Sequence, residues 1–306
     1  MTPGLLTCPQ RFCHAEFSAD DLESAKKATT VSVCLPARNE AATIGPIVET
    51  IRADLQQKTH LVDEIIVVND RSIDATAAMA AGGGAAVIPV AVPAGSQSGK
   101  GMAMATALTE SRGDLLVFLD ADIEGFSSHF VVGLLGPLLC DRSIGFVKAS
   151  YQRPLAGVLG EGGRVTELAA KPLLALLHRH VACFTQPLAG EIAARRCVLE
   201  DLSLPCDYGV DVAVLIDVAR SIGVAAMAEV DLGERRHRNR PLSELAPQAR
   251  SVAQVILERA GVHLDAPTPR RPDGPGNRLP DDSDQPEGGD AGRWIDTSAT
   301  DGRKLG

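Results

Sequence analysis

Short apolar runs alternate with amphipathic segments along most of the chain. Apolar runs of this kind predict strands buried on both faces of a sheet, and apolar residues spaced three and four apart predict helices. The predicted strands are 31–35, 64–68, 86–92, 115–119, 144–151 and 227–232. The predicted helices are 44–51, 73–79, 102–111, 130–139, 168–177, 212–219 and 242–260, and 184–191 is predicted to be an extended segment that enters another helix. This alternation predicts a right-handed, doubly wound α/β fold.

The fourth predicted strand, 115–119, ends in two carboxylates, Asp120 and Asp122. Residues i and i+2 of an extended segment point the same way, and open α/β sheets bind ligands at the carboxyl ends of their strands. Two carboxylates on one side repel each other unless a cation lies beside them. The pair therefore indicates either an Mg²⁺ or Mn²⁺ ion that bridges to a phosphorylated substrate, or a capping Asp120 beside a solvated Asp122.

The ends of the other early strands are also polar. Pro36 is predicted to end the first strand because proline cannot donate to a ladder, and the polar segments 37–40 and 70–72 follow the first and second strands. Lys100 opens the helix after a glycine-rich loop and could meet a phosphate, although the loop lacks the Walker spacing and a lone lysine is more often solvated. No GxGxxG follows the first strand, which argues against a dinucleotide enzyme.

Three later stretches carry candidate chemistry. The glycine-rich segment 160–167 suits a small anion or, equally, a turn that caps the next helix. Asp211 is a helix N-terminal acid or a ligand of a sugar hydroxyl. The basic run 235–240 indicates a nucleic-acid patch, a pyrophosphate and metal site, or a solvated loop.

Composition limits these alternatives. The net charge of −9 argues against nucleic acid as the main partner. The seven cysteines lack regular CxxC pairs, so Cys34, Cys140 and Cys183 are expected to be buried thiols in a reducing compartment. The chain shows neither a signal pattern nor an apolar run long enough to span a bilayer, so a cytoplasmic protein is expected. Residues 265–306 are rich in Pro, Gly, Asp and Arg and are predicted to be disordered.

Several of these motifs together resemble the GT-A nucleotide-sugar glycosyltransferases and, over about residues 20–260, the glucosyl-3-phosphoglycerate synthases of actinobacterial type. The motifs are LPARNE (35–40), DAD (120–122), GGRVTE (162–167), QPLAGE (186–191), YGV (208–210) and HRNRP (237–241). The resemblance implies a Rossmann-like, mostly parallel sheet with helices on both faces. Residues 1–29 would form a lead-in, 30–150 the nucleotide-sugar half, and 151–264 a smaller acceptor-binding C-terminal part of the same domain.

The resemblance also implies a reaction and a set of site residues. Glucose would pass from UDP-glucose to 3-phosphoglycerate with retention at the anomeric carbon, in a homodimer that needs Mg²⁺ or Mn²⁺. The donor residues would be Pro36, Ala37, Glu40, Ser72, Lys100, Asp120, Ala121, Tyr208 and Arg240. The acceptor residues would be Gly163, Arg164, Thr166 and Asn239, the metal ligands Asp122 and His237, and the catalytic residues Asp122, Asp211 and Leu188.

Two departures from the family keep alternatives open. Ala121 replaces a serine in the DAD motif, and Asp211 replaces a glutamate, which shortens a ligand of the donor sugar. A mannosyl donor, as in mannosyl-3-phosphoglycerate synthases, and a non-catalytic nucleotide-binding homologue are the alternatives. Because no covalent nucleophile stands out, a front-face substitution is the preferred mechanism, with the leaving phosphate oxygen taking the acceptor's proton.

Overall fold

The computed structural model of the chain describes residues 7–92, 99–152, 163–235 and 242–263. The strands are β1 (Gln10–Cys13), β2 (Val31–Ala37), β3 (Glu64–Asn69), β4 (Ala86–Pro89), β5 (Leu115–Phe118), β6 (Phe146–Gln152), β7 (Ile192–Arg195) and β8 (Met227–Glu234). They form one sheet in the order β1-β8-β6-β7-β5-β2-β3-β4. The predicted tail 265–306 lies outside the described residues.

Helices connect the strands. The α-helices are α1 (Ala19–Lys26), α2 (Ile44–Ile51), α3 (Thr76–Gly83), α4 (Lys100–Glu110), α5 (His129–Cys140), α6 (Lys171–Leu177), α7 (Arg196–Leu199), α8 (Val210–Ile222) and α9 (Leu242–Arg259). Two π-helical stretches, Arg52–Lys58 and Thr166–Ala170, continue α2 and precede α6. Within the described residues, no helix combines the length and apolar character needed to cross a membrane.

The sheet is parallel except at β7. The pairs β2–β3, β2–β5, β3–β4, β6–β8 and β1–β8 run parallel, whereas β7 is antiparallel to both β5 and β6. The carboxyl ends of β2, β3, β5 and β8 consequently meet at one edge, and the chain delivers its candidate site residues there.

Both faces of the sheet are buried. Along β5, Leu115 and Val117 point into a core formed with α2 and α5, while Leu116 and Phe118 point into a second core formed with α4 and α8. Successive residues of a strand thus face opposite cores, and both cores are apolar. The central strands are therefore continuous apolar runs in the sequence. The predicted α/β fold with helices on both faces is therefore confirmed.

Four local predictions are wrong. The strand β2 does not end at Pro36 but continues through it to Ala37. Since β5 pairs with β2 only as far as Cys34, the missing proline N–H costs no bond to β5 at this point. Helix α3 begins at Thr76 rather than at residue 73. Asp74, in the turn before the helix, accepts a hydrogen bond from the Thr76 amide at 3.0 Å.

The third error concerns residues 184–191, which lead into the short strand β7 and not into a helix. The fourth concerns the cysteines. Cys34 is buried as expected, whereas Cys183 is half-buried and Cys140, the last residue of α5, is exposed. All seven cysteines are free thiols.

Candidate active site

Asp120 and Asp122 lie just beyond β5, with their carboxylates on one side. The same guanidinium nitrogen, Arg235 Nη2, lies 2.9 Å from Asp120 Oδ2 and 2.8 Å from Asp122 Oδ1. The sequence predicted a divalent metal ion beside this pair and did not predict this arginine, which directly follows β8.

Lys100 lies on the other side of Asp120 and joins it to Asp211. Its Nζ is 2.8 Å from Asp120 Oδ1 and 2.9 Å from Asp211 Oδ2. Burial acts to lower the pKa of Lys100, but Asp120 and Asp211 together raise that pKa above its ordinary value. Burial raises the pKa of Asp211, and the ammonium of Lys100 opposes that shift. The three side chains thus form one partly buried charged group between α4, β5 and α8.

Arg235 extends the cluster to Glu191, which directly precedes β7. The two side chains are 2% and 0% exposed, and Nε lies 3.0 Å from Glu191 Oε1. The Tyr151 hydroxyl donates to Glu191 Oε2 at 2.8 Å, and its ring centroid lies 5.3 Å from the guanidinium carbon. Burial acts to lower the pKa of Arg235, while Glu191 leads the groups that hold it well above its usual value.

Hydrogen bonds join the loops after β2 and β3, and the predicted donor residue Ser72 takes part in them. The Asn39 amide donates to Ser72 Oγ at 3.0 Å, and the Ile73 amide donates to Asn39 Oδ1 at 2.9 Å. The Thr43 hydroxyl donates to the Ala121 carbonyl at 2.6 Å, which connects the loop that carries Glu40 to the turn after β5. Pro36 and Ala37 form the carboxyl end of β2, so these predicted donor residues share one edge of the sheet.

The predicted acceptor residues lie at the start of the helical segment that precedes α6. Gly163 has φ of 76°, a left-handed conformation that favours glycine, and its carbonyl accepts from the Glu167 amide at 3.0 Å. Arg164 is half-buried and Thr166 is buried. Tyr208 is 44% exposed and lies just before α8, while Leu188 is half-buried in the turn before β7.

Three predicted residues, His237, Asn239 and Arg240, lie outside the described residues. Among the described residues, no group of three His, Cys, Asp or Glu side chains forms a metal cage. Mg²⁺ in proteins is usually held by one or two carboxylates, waters and substrate phosphates rather than by such a cage. Asp122, whose side chain is 25% exposed, supplies an oxygen ligand of this kind. The residues present therefore fit Mg²⁺ or Mn²⁺.

Sequence reasoning did not single out Arg235, Glu191 or Lys148. Arg235 and Lys148 each left a signal in the sequence. Arg235 closely follows the predicted strand 227–232, near the strand end where the fold places ligand-binding groups. Lys148 is a charged residue in the middle of an apolar run, and it is 0% exposed.

The fold and this charged edge define a class of protein. Residues 32–128 match the family Glycosyl transferase family 2, so the chain contains a glycosyltransferase domain of the predicted GT-A type. The glucosyl-3-phosphoglycerate synthase of Mycolicibacterium smegmatis is 43% identical over 249 residues, covering 79% of this chain and 81% of that relative. The synthase of Mycobacterium tuberculosis is 41% identical over 270 residues, covering 85% and 82%.

Solved structures agree with the sequence comparison. The crystal structure of the M. tuberculosis synthase with Mn²⁺, UDP and phosphoglyceric acid has a TM-score of 0.77 at 40% identity, covering 84% of this chain and 88% of that one. The same enzyme with Mn²⁺, UDP-glucose and phosphoglyceric acid has a TM-score of 0.76, with 83% and 88% covered. The chain belongs to the glucosyl-3-phosphoglycerate synthase family and is a hexosyltransferase.

Proposed function

We propose that this protein transfers glucose from UDP-glucose to 3-phosphoglycerate, with retention at the anomeric carbon, and releases UDP and glucosyl-3-phosphoglycerate. The observation that carries the proposal is the cluster of Lys100, Asp120, Asp122 and Arg235 at the strand ends. The relative from M. tuberculosis supports it, because structures of that enzyme hold UDP-glucose with phosphoglyceric acid and UDP with glucosyl-3-phosphoglycerate.

The donor binds along the edge formed by the ends of β2, β3 and β5. Pro36, Ala37, Glu40 and Ser72 hold the nucleoside, and Asp120 with Ala121 lies towards the ribose. Lys100 and Arg235 are cations at this edge, and in a site shielded from water they offset the negative charge that develops on the departing UDP. Tyr208 and Asp211 hold the glucose, and Arg240 completes the donor site.

Asp122 and His237 hold the divalent metal. When bound, Mg²⁺ or Mn²⁺ neutralises the pyrophosphate of the leaving group as a Lewis acid. Arg235 binds Asp122 only through Nη2 and Oδ1 at 2.8 Å, and the partial exposure of this carboxylate leaves it accessible to a ligand from the cleft.

Arg164 and Asn239 bind the phosphate and carboxylate of the acceptor, with the Gly163 amide and the Thr166 hydroxyl beside them. Leu188 lies in the turn next to the charged cluster and borders the reacting carbon. The carboxylates of Asp120, Asp211 and Glu191 are each tied to Lys100 or Arg235, which makes them poor nucleophiles. This supports a front-face substitution in which the leaving phosphate oxygen takes the proton of the acceptor hydroxyl.

The test is a donor and acceptor panel with the purified full chain. UDP-glucose, 3-phosphoglycerate and Mg²⁺ should release UDP and form a product whose anomeric proton shows the small coupling of an α-glucoside. GDP-mannose and 2-phosphoglycerate are the matched controls, since a site that reads a base or a phosphate position rejects the wrong partner through unpaired polar groups. A folded protein that binds UDP but turns over no donor would contradict the proposal, and a preference for GDP-mannose would assign it to mannosyl transfer.

The assembly and location of the protein are part of the same proposal. A homodimer follows from the resemblance to the family, and sedimentation velocity on the purified chain tests it, with a monomer as the contrary result. A cytoplasmic location follows from the free thiols, which are typical of a reducing compartment.

A further inference from the structure

A buried lysine lies beneath the charged cluster. Lys148 is in β6, and its side chain is 0% exposed. Its Nζ donates to the carbonyl oxygen of Ala189 at 2.8 Å. The bond spans from β6 to the turn that precedes β7, which is the turn that contains Leu188.

This turn is held by several backbone bonds. The Ala189 amide donates to the Gln186 carbonyl at 3.0 Å, and the Ala149 amide donates to the Glu191 carbonyl at 3.0 Å. The segment 186–191 is therefore attached to β6 through the backbone at Glu191. The Lys148 side chain adds a second attachment to β6 at Ala189.

The other side of the turn faces the Lys100–Asp120 pair. A Cβ placed on Gly190 would overlap with Asp120 Oδ1 and Lys100 Nζ. The backbone at Gly190 thus lies in direct contact with the two side chains that face the donor. A shift of this turn would displace that pair, Leu188, or both.

A buried lysine at this position is unfavourable for the stability of the fold. Burial of an ammonium is unfavourable, and an apolar side chain of similar volume often serves stability as well or better. Burial lowers the pKa of Lys148 to about 8, although Asp211, Glu191 and Asp120 act to raise it. A purely structural need does not explain why the ammonium is there.

We propose that Lys148 is a positioning residue for glucosyl transfer: its ammonium holds the Ala189 carbonyl and thereby holds the turn 186–190 against the Lys100–Asp120 pair. The inference rests on the proposed function and assigns to it a residue that does not touch substrate. Its effect falls mainly on the rate of transfer, because Lys100 offsets the charge that develops as UDP departs. The effect on the affinity for UDP is smaller, since most of the predicted nucleoside ligands lie on the loops after β2 and β3.

The test compares Lys148→Met with the matched variant Lys26→Met. Lys26, in α1, is also a buried lysine, 7% exposed, and it donates to the His60 carbonyl at 3.0 Å. In Lys148→Met, kcat should fall about 10- to 100-fold, as expected for a misplaced reacting group, while the Kd for UDP by calorimetry stays within about twofold. Lys26→Met should leave both quantities unchanged.

Hydrogen–deuterium exchange supplies a readout that does not depend on turnover. The amides of 187–191 should exchange at least about tenfold faster in Lys148→Met because the turn opens more readily, and Lys26→Met should not change them. If the wild-type protein transfers no glucose, the proposed function fails, whereas this measurement still tests the link between Lys148 and the turn.

Three results would overturn the inference: a kcat for Lys148→Met equal to that of Lys26→Met, a loss of UDP affinity as large as the loss of kcat, or unchanged exchange at 187–191. Should Lys148→Met not fold, Lys148→Gln, which keeps a donor but loses the charge and some reach, is held to the same criteria. If neither variant folds where Lys26→Met does, Lys148 is a structural residue and the inference is wrong.

Discussion

Arg235 holds together three carboxylates from two parts of the chain. It contacts Asp120 and Asp122 after β5 and Glu191 before β7, at 2.8–3.0 Å. Arg235→Met removes the cation and leaves these carboxylates partly uncompensated, so the free energy of unfolding should fall by about 3–5 kcal/mol. Urea denaturation measures the change, with Arg235→Lys expected to restore part of it. An unchanged midpoint for Arg235→Met would show that the pairs do not stabilise the fold.

The sequence predicted the need for this cation but not its identity. Two carboxylates one residue apart at a strand end implied a positive charge beside them, and a metal was the natural candidate. Position 235 lies in a run of four arginines and a histidine, and spacing alone does not say which of them turns inward. That depends on β8 lying next to β6, a long-range pairing that the local pattern does not contain.

Lys148 makes a specific prediction for stability against pH. Its pKa of about 8 in the folded state is lower than that of a lysine in the unfolded chain. The unfolded state therefore binds the extra proton between about pH 8 and pH 10.4, and this lysine's contribution to stability rises with pH across that window. Below pH 8 the charged ammonium costs stability, by about 3 kcal/mol for a shift of this size.

The measurement is the difference in unfolding free energy between wild type and Lys148→Met at pH 7 and pH 10. The variant should be the more stable protein at pH 7, and its advantage should shrink at pH 10. The charged groups that act on this lysine, Asp211, Lys100, Glu191 and Asp120, are present in both proteins, so their direct titration largely cancels. A difference that does not vary with pH would contradict the lowered pKa.

At the scale of elements, the pattern predicted six of the strands and missed β1 and β7. β2, β3, β4, β5, β6 and β8 were predicted within a few residues because each is an apolar run between helices. β1 and β7 have four residues each, but so do β4 and β5, so length alone does not explain the omission. The β7 sequence, Ile-Ala-Ala-Arg, lacks a run of β-branched residues, and its antiparallel place between β5 and β6 follows from tertiary pairing and not from local periodicity.

The substitution Gly190→Ala, which adds one methyl group, tests whether the turn before β7 positions the reacting groups. In Gly190→Ala the new Cβ would displace the ends of the Lys100 and Asp120 side chains. Because these ends are flexible, the fold should lose less than about 1 kcal/mol, whereas kcat should fall at least about tenfold.

Gly82 is the matched control for that substitution. It lies in α3, and a Cβ placed there meets nothing within 4 Å. Gly82→Ala should stabilise the protein by about 0.5–1 kcal/mol, because alanine favours a helix over glycine, and should leave kcat unchanged. Equal kcat values for the two variants would mean that the turn at Gly190 tolerates displacement and does not position the reacting groups.

At the scale of the whole molecule, the site draws on residues from Pro36 to Arg235, so ligands should stabilise the entire fold. A ligand present at about 100 times its Kd adds about 2.7 kcal/mol to the free energy of unfolding. For a chain of this size, that corresponds to a rise in Tm of about 4–5 °C. UDP with Mg²⁺ and 3-phosphoglycerate should each produce such a shift, measured by calorimetry or intrinsic fluorescence.

Variants should separate the two shifts, because the proposed donor and acceptor residues lie in different segments. In the wild-type protein, Mg²⁺ should increase the Tm shift that UDP produces, measured as the difference between UDP with Mg²⁺ and UDP with a chelator. Asp122→Asn should lose this difference. Arg164→Met should keep the full UDP shift and lose the 3-phosphoglycerate shift, since its guanidinium no longer pairs with the acceptor's anionic groups. The reverse pattern would exchange the two assignments, and a full metal increment in Asp122→Asn would remove Asp122 from the metal site.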